Sequence, residues 1–89
     1  MTSPTGSSNF ILDGALMTSR DAAHAHLASV LPLPPHYGRN LDALYDSLAP
    51  GLRVTLTHPQ PMLDALGQYG FRLLQTLKDA LGEGFEIGE

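Results

Sequence analysis

The sequence predicts an α/β domain: a small three-stranded parallel sheet packed with about four helices, in the order β-α-α-β-α-α-β. Three observations predict it. Short apolar or β-branched runs occur at 9–13, 53–57 and 85–87. Apolar residues at helical spacing fill the intervals between those runs. The intervals, roughly 40 and roughly 25 residues long, suit crossover connections and are too long for tight hairpins. Right-handed crossovers then close a parallel sheet. A chain of 89 residues can cover mainly one face of that sheet with helices.

Residues 1–8, Met-Thr-Ser-Pro-Thr-Gly-Ser-Ser, read as a flexible tail. A single domain is expected over 9–89. Asn9-Phe10-Ile11-Leu12-Asp13 reads as the first strand, stopped by Gly14, with Ala15-Leu16-Met17 a candidate continuation past a turn. Thr18 and Asp21 carry capping-box spacing. Ala23, Leu27, Val30 and Leu31 follow at helical spacing, so a helix is expected at about 19–31. Pro32, Pro34 and Pro35 stop it.

Asn40 suits the N-cap of a second helix, and Asp42 suits its first turn. Leu41, Leu44, Tyr45 and Leu48 make its apolar face, with Tyr45 expected inward. Pro50-Gly51 ends it. Arg53-Val54-Thr55-Leu56-Thr57 alternates as a strand, and His58-Pro59-Gln60-Pro61 ends that. Pro61 is a candidate first residue of a third helix through Leu66, broken by Gly67 and Gly70. The fourth helix is expected over Phe71–Leu81, with Leu73, Leu74, Leu77, Ala80 and Leu81 inward. Gly82-Glu83-Gly84 turns the chain into the last strand, Phe85-Glu86-Ile87.

Composition narrows the function. With no cysteine, the chain cannot form disulfides, zinc–thiolate sites or thiol nucleophiles. Five Lys and Arg against nine Asp and Glu give a net charge of −4. That deficit disfavours nucleic acid, whose affinity comes from cations on phosphates, and leaves open a positive partner. There is neither a basic, apolar leader nor a membrane-length apolar run, so a cytoplasmic protein is expected, away from membranes.

Few residues point to catalysis. Asp42 and Asp46 lie four apart on one helix face, about 6 Å apart at Cβ, as solvated carboxylates commonly do. A paired-carboxylate hydrolase would need a pocket that so small a domain supports poorly. His24 and His26 lie two apart on a helix, which is wrong for a metal pair; both read as surface or flank residues. His36 lies in the proline-bounded loop, and His58 at a turn. Asp13 as a phosphoacceptor would need five β/α units, for which the chain is too short. No nucleophile elbow or phosphate loop occurs. No enzyme activity, metal or cofactor is expected.

The segment Pro34-Pro35-His36-Tyr37-Gly38-Arg39-Asn40-Leu41-Asp42-Ala43-Leu44-Tyr45-Asp46-Ser47-Leu48 resembles the signature of the barstar family. These are small bacterial intracellular inhibitors of secreted ribonucleases such as barnase. The shared pattern is Tyr37-Gly38, one variable residue, Asn40 through Leu44, an aromatic, and Asp46. Element order and the final helix, Glu83-Gly84 turn and strand agree more weakly. The resemblance implies a barstar-like fold. It also implies an inhibitor of antitoxin or immunity type, which inserts the second helix and its preceding loop into the active site of a basic ribonuclease or related toxin. The implied partner-binding residues are His36, Tyr37, Gly38, Asn40, Asp42, Ala43, Asp46 and Asp79. Four positions depart from the family pattern. His36 stands where Tyr is typical, Arg39 where an acid is frequent, Tyr45 for Trp and Asp79 for Glu. Arg39 supports an alternative, an interaction module of the same fold with a non-ribonuclease partner.

Overall fold

Three parallel strands lie side by side in chain order: β1 (Asn9–Asp13), β2 (Arg53–Thr57) and β3 (Phe85–Ile87). The computed structural model describes residues 9–49 and 51–88. The expected tail at 1–8 and the proposed stop at Pro50 lie outside that range. The helices are α1 (Arg20–Val30), α2 (Leu41–Ser47), α3 (Pro59–Leu66) and α4 (Gln68–Leu81), which reproduces the predicted order.

Register explains why one sheet face is covered. Phe10 opposes Val54 and Leu12 opposes Leu56, while Val54 and Leu56 oppose Phe85 and Ile87. Side chains alternate along a strand, so these six share one face. Leu12, Val54 and Leu56 are fully buried there, against Met17, Leu27, Leu44, Met62, Leu73 and Leu77. The opposite face carries Asn9, Ile11, Arg53, Thr55 and Glu86; Ile11 is 54% exposed. Burying each core leucine contributes about 1.5–3 kcal/mol, so this one layer of apolar contacts holds the fold.

Several boundaries differ from the sequence reading. Ala15 and Leu16 do not extend β1. They lie in a 3-10 turn, Gly14–Leu16, capped by the Asp13 carboxylate on Ala15 N–H at 3.0 Å. The turn sits tightly against the end of β2: a Cβ on Gly14 would lie 2.2 Å from the His58 carbonyl oxygen. The N-cap of α1 is Ser19, not Thr18, because Ser19 Oγ accepts from Ala22 N–H at 3.0 Å. Asp21 therefore stands in the first turn as a charge that favours the helix N-terminus, one residue short of the capping-box position.

α3 begins at Pro59, two residues before Pro61, because proline is tolerated throughout a first turn whose N–H groups lack helical partners. Gly67, at φ +60, separates α3 from α4. Gly70 breaks neither helix. It lies buried inside α4, where a Cβ would meet Leu63 Cδ2 at 3.2 Å, so its missing side chain lets α3 and α4 approach. Among the described residues no helix is long and apolar enough to cross a membrane.

Candidate partner-binding site

The loop between α1 and α2 is short and pinned at both ends. Leu33 N–H bonds the Leu31 carbonyl at 2.8 Å, and Tyr37 N–H bonds the Pro34 carbonyl at 3.0 Å. The second bond closes a turn over Pro35 and His36 and leaves His36 exposed. Asn40 then starts α2: its Oδ1 accepts from Ala43 N–H at 2.7 Å, while its Nδ2 donates to the Gly38 carbonyl at 3.3 Å. Gly38 has little room, since a Cβ there would approach Ala43 Cβ at 3.3 Å. Of the predicted residues, Asn40 and Gly38 thus shape the loop directly, with half-buried Ala43 packed beneath it.

α2 spends its buried stripe on Leu44 alone, with Leu48 just beyond its end. Tyr45 was expected inward, and it is 51% exposed. The reason is angular. In so short a helix Leu44 and Leu48 define the core direction, and Tyr45 falls about 100° around the axis from Leu44. Positions 42, 45 and 46 consequently share the outer face. Asp42 and Asp46 are both exposed. The ion pair His58–Asp13, at 3.2 Å, is the only one among the described residues, so neither α2 carboxylate has a cationic partner. An exposed aromatic beside two unpaired carboxylates can act as an interface anchor, and Tyr45 was missing from the predicted site. Asp79 is exposed on α4, where Gln75 Nε2 donates to its Oδ1 at 3.0 Å. That bond orients the carboxylate one turn beyond Gln75.

His24 turns out differently from the sequence reading. His24 was expected at the surface of α1, yet it is 2% exposed. Its Nδ1 lies 2.6 Å from Tyr37 Oη and its Nε2 lies 2.6 Å from Tyr69 Oη. Neutral imidazole has one N–H and one bare nitrogen, so one tyrosine accepts from it and the other donates to it. Burial, with Arg39 next, holds the His24 pKa below the ordinary histidine value. Burial also pushes the Tyr37 phenol up to about 12. Tyr37 therefore sends its hydroxyl inward and fastens the loop to α1. The signal was present in the spacing: positions 24, 27 and 31 form one stripe, and Leu27 and Leu31 were already assigned to the core.

An open groove of about 840 Å³ runs beside this network. α1 contributes Arg20, Asp21 and the edge of His24; the loop contributes Arg39; α2 contributes Asp42; α4 contributes Tyr69 and Arg72. Asp42 thus joins the groove, whereas His36, Asp46 and Asp79 lie outside its lining. Among the described residues no group of three His, Cys, Asp or Glu could hold a metal.

Comparison with known proteins extends the likeness beyond the loop and α2. The model of the family "Barstar (barnase inhibitor)" matches residues 8–87. A curated protein of Bacillus subtilis (strain 168), "Putative ribonuclease inhibitor YrdF", is 32% identical over 77 residues, covering 82% of this chain and 85% of that protein. The family match runs through all three strands and all four helices, and the chain belongs to the barstar family.

Proposed function

We propose that this chain is an inhibitor of antitoxin or immunity type that works in the bacterial cytoplasm. It binds a basic, secreted-type ribonuclease and blocks the active site with the acidic face of α2 and the loop before it. One observation carries the reading: Asp42 and Asp46 stand exposed, without cationic partners among the described residues, on a helix whose start Asn40 fixes. Such a face attracts a cationic cleft at long range and fills it at contact. Asp42 and Asp46 would meet the cations that otherwise hold RNA phosphates, with Tyr45 packed beside them. His36 and Tyr37 would cover the rim, Gly38, Asn40 and Ala43 would allow close approach, and Asp79 would add a further acid from α4. The chain acts by binding, with no turnover of its own.

Arg39 favours a second reading, because it adds a positive charge beside Asp42. In that reading the same face meets a partner that is not a ribonuclease. Titration into a panel of guanyl-preferring secreted ribonucleases separates the two. Stoichiometric loss of RNA cleavage by any of them supports the inhibitor. Full activity of the whole panel at excess chain overturns it in favour of the second reading.

A further inference from the structure

Three of the five basic residues of the chain, Arg20, Arg39 and Arg72, line the groove beside α2. None forms an ion pair among the described residues. Arg20 is held in place: its guanidinium carbon lies 4.2 Å from the centre of the Tyr69 ring, and His24 fixes the Tyr69 hydroxyl. Arg39 has φ +58, in the left-handed region that side chains other than glycine rarely occupy. A chain with an excess of acids thus gathers three of its five basic side chains in one groove and holds one of them in an unfavourable backbone conformation.

We propose that this groove receives carboxylate side chains from the protein partner that seats on α2. The proposal rests on the inhibitor reading for the partner's position. Asp42 belongs both to the acidic face and to the groove lining, so a protein covering that face also covers the groove mouth. Guanidinium groups covered without an opposite charge lose hydration and gain nothing in return. A matching partner must therefore present acids beside its basic cleft. Carboxylates suit the planar, forked guanidinium well. Nucleic acid is the poorer occupant, because it has no basic cleft to seat on Asp42 and Asp46 and would meet a chain of net charge −4. The partner surface is consequently bipolar, with a basic cleft for Asp42 and Asp46 and an acidic border for Arg20, Arg39 and Arg72.

Two experiments test this. The first uses the isolated chain, labelled for NMR, with hexaglutamate, an RNA hexanucleotide and inorganic phosphate as separate probes. Saturable shifts of the Arg20, Arg39 and Arg72 side-chain N–H signals are expected with hexaglutamate, at roughly millimolar affinity. They should weaken several-fold in Arg39→Gln and in Arg72→Gln, two exposed positions where substitution spares the core. The absence of saturation, or tighter binding of the RNA or of phosphate, overturns the proposal.

The second uses whichever ribonuclease the chain inhibits. Arg39→Glu should weaken inhibition about tenfold or more, because it sets like charges against each other. If Asp46→Ala weakens inhibition but Arg39→Glu tightens it, the inhibitor reading stands and the acidic border is refuted. If the chain inhibits none of the panel, the inhibitor reading fails, and the hexaglutamate titration alone decides for or against the groove.

Discussion

Replacing His24 by phenylalanine keeps a ring in the core and removes both nitrogens. Burial pushes the Tyr69 phenol up as it does that of Tyr37, but Tyr69 lines the groove, so its freed hydroxyl is the nearer of the two to water. That loss is one net hydrogen bond, about 0.5–1.5 kcal/mol. Burial desolvates the Tyr37 hydroxyl and pushes its pKa up to about 12, and the substitution removes its 2.6 Å partner outright. A stranded buried hydroxyl costs about 1–3 kcal/mol. His24→Phe should therefore destabilise by about 2–4 kcal/mol, a fall in Tm of roughly 10–25 °C for a domain of this size. Urea and thermal melts measure it, with Tyr69→Phe, which leaves the buried His24 Nε2 without its partner, expected to cost about 1–3 kcal/mol. The pH dependence adds a second reading. The folded-state pKa of His24 is depressed, so below about pH 6.5 the unfolded chain holds a proton that the folded chain refuses. Stability from this residue is complete above about pH 6.5 and is lost as pH falls toward the folded pKa. The phenylalanine variant should lose that slope below about pH 6.5. Melting within about 0.5 kcal/mol of the parent, or an unchanged pH slope, would refute the reasoning.

Other outcomes follow from the same geometry. Asp46→Ala should weaken ribonuclease inhibition more than any other single change, by about 2–5 kcal/mol, the general range for desolvated interfacial charge pairs; inhibition titrations measure it. Raising salt from about 50 to 500 mM should slow association by an order of magnitude with little change in dissociation, as stopped-flow mixing would show. Asn40→Ala should cost about 1 kcal/mol of stability by uncapping α2, against a few tenths for Asn40→Gly. Gly14→Ala should cost at least about 2 kcal/mol in chemical denaturation, because the added methyl meets the His58 carbonyl inside contact distance.

The strands were readable because alternation and β-branching act locally, whereas their register came only with the structure. The start of α2 was readable because a helix cap and a first-turn acid are local signals: Asn40 caps the helix, and Asp42 and Asp46 lie exposed on one of its faces. Three features were not. Tyr45 was misassigned because a helix as short as α2 has room for one buried stripe, and only packing against α4 decides which. Gly70 resembled a helix breaker because its role, the close approach of α3, is tertiary. His24 looked like a surface residue because its partners stand 13 and 45 residues away along the chain. The groove of arginines depends on the same distant contacts, since Arg20, Arg39 and Arg72 come from three separate segments.

The helices cover only one side of the sheet, which gives the molecule a quiet back. Arg53 is exposed at the start of the central strand, on the face opposite α2 and α4. The native chain contains no cysteine, so Arg53→Cys would carry the sole thiol in the protein. A dye, a spin label or a surface tether attached there leaves the proposed binding face untouched. The protein can then be held from behind with α2 and its preceding loop facing outward, and every copy on a sensor surface presents the same side.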